Sequence, residues 1–215
     1  MYPVRPKTTT EKLAIAVGTA AAATGLYYAF VRPKHMTWGA TKEEVDGYFP
    51  GDELVPKAIH NATHAMTIAA PPEYVWPWLV QLGQDKGGFY SYTVLENMLG
   101  CHMRNTDQLH PEWQQLKAGD EVTFHPKTPK VKVLILEENR HMVLGEVGKY
   151  LWAFHLKALP DGQTRMVVRA LSGSKGAIER SVEILFWEPA HFVMERKMML
   201  TVKRLAESWF REAQH

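Results

Sequence analysis

The pattern that most limits the fold lies at the end of the chain. From Pro189 to about Phe210 the sequence reads "PAHFVMERKMMLTVKRLAESWF". Proline suits a first helical turn. At 100° per residue, Met194, Met198, Val202, Leu205 and Trp209 fall within an arc of about 80°. Arg196, Lys203, Arg204, Glu207 and Arg211 occupy the far side. A helix with one apolar face must bury that face against another element.

What precedes it is a run of strands. "VKVLIL" (131–136), "HMVLGE" (141–146), "YLWAFHLKA" (150–158) and "TRMVVRAL" (164–171) are separated by short turns, among them the hairpin signal "LPDGQ". Meandering strands with short turns imply an antiparallel sheet. A further strand is expected near Val122 to Phe124. Earlier still, His64 to Ala69 alternates, with His64, Met66 and Ile68 on one face. Pro71-Pro72 stops that strand and opens a helix whose Val75, Leu79 and Leu82 form one stripe; Pro77 is expected to kink or split it. The Gly87-Gly88 bend leads into a short second helix with Val94, Leu95, Met98 and Leu99, for which Thr93 and Glu96 suit a capping box.

This order of elements, together with "WGAT", "GDELVP", "APPEYVWPWLVQLGQDKGGFYSY", "LENMLG" and "HPEWQQLKAGD", resembles bacterial members of the SRPBCC superfamily. That group holds the START-like, birch-pollen-allergen-like and polyketide cyclase/dehydrase-like proteins. The resemblance runs from about Trp38 to the C-terminus. It implies an α+β helix-grip fold, with a curved antiparallel sheet wrapped on the long C-terminal helix and an apolar cavity between them. It also implies binding of lipids or other hydrophobic molecules, and in some members cyclisation or dehydration. No catalytic motif and no cofactor carries over.

The N-terminal part lies outside that resemblance. Leu13 to Val31 is a run of 19 residues without a charge. As a helix it reaches about 28 Å, close to the hydrocarbon thickness of a bilayer. Basic residues flank it, and Tyr27, Tyr28 and Phe30 cluster at its distal end, as interfacial aromatics do. A single-pass anchor is the preferred reading; a cleaved signal peptide and a packed soluble helix remain open. The expected organisation is a tail (1–12), a transmembrane helix (13–31), a linker (32–56) and a helix-grip ligand-binding domain (57–215). In the linker, Thr41 and Glu44 match a capping box. The balanced flanking charges leave orientation open. A cytoplasmic domain is the working expectation, and the single cysteine, Cys101, fits a reducing compartment.

Composition narrows the chemistry. A formal net charge of +2 and the lack of a basic stripe argue against nucleic acid as a partner. The ten histidines fall in no metal-binding spacing, so no metal is expected. A helix-grip cavity needs apolar walls and a few polar groups to orient its guest. The candidates are Tyr90, Tyr92, Glu96, Trp152, Phe154, Arg169, Met194 and Met198, with Phe89 read as core. For most of them ordinary packing competes with a ligand role. Arg169 serves a head group only if it points inward, and Glu96 fits a helix cap equally well. Asp107 and His110 are weak candidates for an acid and base pair. The leading expectation is a membrane-tethered domain that binds a hydrophobic small molecule or lipid. The alternatives are a cyclase or dehydratase using the same cavity, and an interaction module whose cavity is filled.

Overall fold

The computed structural model describes residues 8–58, 60–98, 100–173, 176 and 183–215. It divides into two compact units, Met1–Met36 and Thr37–His215.

The first unit is helical. Helix α1 (Thr9–Leu26) starts at Thr8, whose hydroxyl accepts from Glu11 N while the Glu11 carboxylate accepts from Thr8 N. The capping box starts the helix earlier than the apolar run alone suggests. A wide π-turn, Tyr27–Val31, joins α1 to α2 (Arg32–Met36), with Arg32 N donating to Tyr27 O five residues back. Pro33 follows at once. It has no N–H to donate and crowds the preceding turn, which gives a reason for the widened ladder at this point. The stretch Thr9–Met36 is long and apolar enough to cross a membrane.

The second unit is built on one six-stranded sheet in the order β1-β6-β5-β4-β3-β2, antiparallel throughout. The strands are β1 (His60–Ile68), β2 (Glu121–Val122), β3 (Val131–Glu137), β4 (His141–Glu146), β5 (Tyr150–Ala158) and β6 (Thr164–Ser172). Strand β1 begins four residues before the expected His64, because every residue from His60 pairs with β6. Short helices lie between α2 and the second strand: α3 (Lys42–Asp46), α4 (Pro72–Val80) and α5 (Thr93–Met98). Leu99 lies outside the described residues. Pro77 sits inside α4 without splitting it; the carbonyl to which it cannot donate, four residues back at Glu73, is in the first turn.

The chain ends in α6 (Glu188–Glu212). Its Met198, Met199, Val202, Leu205 and Ala206 are buried in one core with Met142, Leu144, Phe154, Met166 and Val168 of the sheet and Val75, Trp78 and Leu79 of α4. Each large side chain buried this way favours folding by about 1.5–3 kcal/mol. A sheet folded over a long terminal helix in this order is a helix-grip fold.

The sheet's other face is also covered. Residues 37–58, expected to be a linker from 32 to 56, pack on it instead. Val55 joins Val143, Leu151, Ala153 and Leu171 in a second core. Gly51, at φ 104°, lies so close that an added Cβ would be 3.1 Å from Val143. The capping box of α3 forms as expected, and the same Glu44 carboxylate then pairs with Arg165 at 2.8 Å.

Candidate functional site

The site is taken from the inner face of the grip, where the N-terminal half of α6 crosses the sheet. Toward its C-terminal half the helix is closed on the sheet by Met198, Met199 and Val202, each almost fully buried. Toward its N-terminus the packing is looser. Met194, His191, Trp152, Phe89 and Phe124 are only half-buried. Their rings form a chain. Phe89 meets Phe124 at 5.0 Å and Trp152 at 6.1 Å, Phe124 meets Trp152 at 5.6 Å, and Trp152 meets Phe154 at 4.6 Å and His191 at 6.2 Å.

Under this aromatic patch lies an ionisable cluster. Glu195 is buried on the sheet side of α6. One carboxylate oxygen pairs with His64 Nδ1 on β1. The other accepts from Trp152 Nε1 at 2.6 Å and lies 3.6 Å from His191 Nε2. Burial opposes the charge of Glu195, but the facing His64 and His191, with the hydrogen bonds from His64 and Trp152, outweigh it. The carboxyl is held below its usual range. Phe192 lies edge-on to His64 at 5.3 Å.

Glu96, in α5, is a second buried carboxyl in a different setting. It is 1% exposed, and neither of its oxygens has a hydrogen-bond partner among the described residues. Burial pushes its pKa up to about 7. Ser91 Oγ and Trp78 Nε1 are likewise buried and without a partner among the described residues. Buried polar atoms are nearly always paired, so such a group calls for an explanation. Glu96 is therefore not the helix cap that its spacing from Thr93 suggested. The Thr93 hydroxyl accepts from Asn105 instead, at 3.1 Å.

The stretch from 89 to 92 is distributed differently from the sequence reading. Phe89, expected in the core, is half-buried and packs against the core at the aromatic patch. Tyr90, expected to line a pocket, is 1% exposed and belongs to the core. Its hydroxyl accepts from Gln81 Nε2 at 2.7 Å, its N–H donates to Asn105 Oδ1 at 2.8 Å, and its ring packs on Trp78. Burial holds the phenol above its ordinary range, and the Gln81 hydrogen bond offsets this only in part. The cause of Tyr90's burial is backbone geometry. Tyr90 adopts φ 55° after the Gly88 bend, so the alternation of side chains breaks there. Tyr92 is 43% exposed, with Lys197 Nζ 5.9 Å above its ring.

The other expected residues divide. Trp152, Phe154 and Met198 lie on the inner side, Phe154 and Met198 in the closed core, while Met194 of α6 is half-buried. Arg169 points outward and so cannot meet a guest between sheet and helix. It is buried under residues 44–52, where it donates to Gly47 O at 2.9 Å, pairs with Asp52 at 3.2 Å and lies over the Phe49 ring. Asp107 is exposed, and His110 stacks on Trp113 at 4.1 Å while facing Glu112 at 3.3 Å. The structure therefore does not assemble Asp107 and His110 as a pair.

A cavity of about 900 Å³ lies on the outer face, lined by Phe49, His141, His155, Leu156 and Arg165 among others. There the His155 ring lies under Phe49 at 4.8 Å. Burial, then His141 and Arg169, push its pKa down to about 3, so it is neutral at pH 7.

Fold and site together define a helix-grip protein with aromatic rings and the buried Glu195 on its inner face and a second, differently tuned buried carboxyl, Glu96, in α5. No family model matches the chain, and no curated protein matches it. Among solved structures it is similar to a polyketide-cyclase-like protein of Corynebacterium glutamicum, at 14% identity over 74% of this chain and 94% of that one, TM-score 0.34. It is also similar to Aha1 of Colwellia psychrerythraea, solved as a dimer, at 17% identity over 68% and 96%, TM-score 0.39. A protein of Bacillus halodurans gives 12% identity over 70% and 99%, TM-score 0.44.

Proposed function

We propose that the chain is a membrane-tethered binding protein for an apolar small molecule that carries one polar group. The observation that carries this reading is Glu96: a buried carboxyl with two unpartnered oxygens. A carboxyl with a pKa of about 7 is partly protonated at neutral pH and can donate a hydrogen bond to a guest's carbonyl or hydroxyl. The half-buried aromatic patch supplies apolar contact. The apolar N-terminal helix, read as the tether, keeps the domain next to a bilayer and raises the local concentration of a lipid-derived guest.

The test is to extract the full chain in mild detergent and identify what co-purifies by mass spectrometry. Wild type is expected to retain an apolar molecule in near-stoichiometric amount, and Glu96→Ala to lose most of it. Wild type and variant that both carry nothing, and take up no fatty acid or sterol when offered, overturn the proposal.

A second reading rests on the same ionisation. A carboxyl with a pKa near the working pH suits general acid–base catalysis, so a cyclase or dehydratase acting on the same guest is the alternative. Turnover that Glu96→Gln abolishes without loss of binding distinguishes it from a pure binder.

A further inference from the structure

Two exposed apolar stripes lie side by side on the soluble domain, and neither is used by the site. The first is on α6 and the turn before it. Phe186, Val193 and Leu200 recur at intervals of seven, on the side of the helix opposite its buried face, and Phe186 is 70% exposed. Trp187 beside them is also exposed. The second is on α5, where Val94, Leu95 and Met98 face solvent, Met98 at 79%. Tyr92 joins the two, because its ring lies under Lys197, which sits between Val193 and Leu200 on α6. Scattered exposed apolar residues are ordinary, but neighbouring stripes of this kind mark a contact surface.

The course of the chain indicates what covers it. Trp38, among the first residues of the domain, packs against Phe192 at 6.2 Å, and Arg196 lies over its ring at 5.0 Å. Phe192 and Arg196 flank Val193 on α6. The apolar run ends at Val31, only a few residues before Trp38. The polypeptide thus enters the domain at the edge of the exposed stripe. Arg196 and Lys197 there suit anionic headgroups, and Trp187 and Tyr92 suit the interface.

We infer that this surface, from Phe186 and Val193 across Tyr92 to Met98, docks on the bilayer that holds the N-terminal helix. The inference rests on the tether reading above, and the test separates the two. The full chain, in a Cys101→Ser background, is reconstituted in vesicles of phosphatidylcholine and phosphatidylglycerol. Bimane is attached at Met98→Cys, Trp187→Cys, Ala22→Cys in the apolar helix, or Asp161→Cys in the β5–β6 turn. Replacing part of the lipid by brominated phosphatidylcholine is expected to cut emission at least twofold at positions 98, 187 and 22, and to leave 161 unchanged. Quenching at 22 alone overturns the docking surface and leaves the tether standing. No quenching at 22 overturns the tether, and the docking inference with it. Unquenched labels at 98 and 187 together with a Met98→Cys disulfide dimer assign the surface to a second copy and also overturn it.

Discussion

Glu96→Gln replaces an ionisable carboxyl with a neutral amide of nearly the same shape. In the folded chain burial raises the carboxyl from an ordinary 4.5 to about 7, whereas in the unfolded chain it returns to the ordinary range. A tenfold change in proton affinity is worth about 1.4 kcal/mol, so ionised Glu96 opposes folding by about 3 kcal/mol above both values. The sign follows from proton counting. Between 4.5 and 7 the folded state keeps a proton that the unfolded state has released, so stability falls as pH rises through that window. Glutamine does not ionise and lacks this loss. Its buried amide brings a cost of its own, but one that does not vary with pH, so the informative quantity is the change between two pH values. Urea unfolding at pH 5 and pH 8, followed by tryptophan fluorescence, should show the variant gaining about 2–3 kcal/mol on wild type from the lower to the higher pH. An offset that is equal at both pH values would mean that Glu96 titrates normally, and would refute the reasoning.

Three further expectations concern other parts of the structure. Glu195→Gln leaves His64 without its counter-charge, and breaking a buried pair from one side costs about 3–5 kcal/mol, seen as a lower urea midpoint. Because the Glu195 carboxyl is held below 4.5 in the folded chain, its contribution is complete above that value and fades as pH falls through the lower folded one; wild-type stability that stays flat from pH 6 to pH 3 contradicts this. Arg169→Ala removes the anchor under residues 44–52, and limited proteolysis should then cut that segment well before the sheet; an unchanged cleavage pattern argues against the anchor. Gly87→Ala places a Cβ 2.7 Å from the Tyr90 hydroxyl and 2.9 Å from Gln81 O, and overpacking of this kind costs about 1–3 kcal/mol by thermal or urea unfolding.

How far these features were legible in the sequence depends on the residue. The antiparallel meander, the terminal helix and the Thr41 capping box follow from local patterns, and local patterns are what a sequence displays. The packing of residues 37–58 was not legible, since its causes are long-range: Arg165 and Arg169 reach across to carbonyls and carboxylates more than a hundred positions away. Glu195 carries a signal in the sequence. It is placed at i−3 and i−4 from Met198 and Met199, within the buried side of α6, and a carboxylate there demands a partner. His64 shares the inward face of β1 with Met66 and Ile68, so that partner was also available. The burial of Tyr90 had no such signal, because it depends on a left-handed backbone at Tyr90 that tyrosine rarely adopts.

The most direct test of the site is a carbon-13 NMR titration of the Glu96 side-chain carboxyl in the full chain, without and with a fatty acid or sterol that the protein retains. A midpoint near 7 in the free protein, displaced by the guest, is the result the account predicts. A midpoint in the ordinary carboxylate range, unmoved by any guest offered, contradicts it.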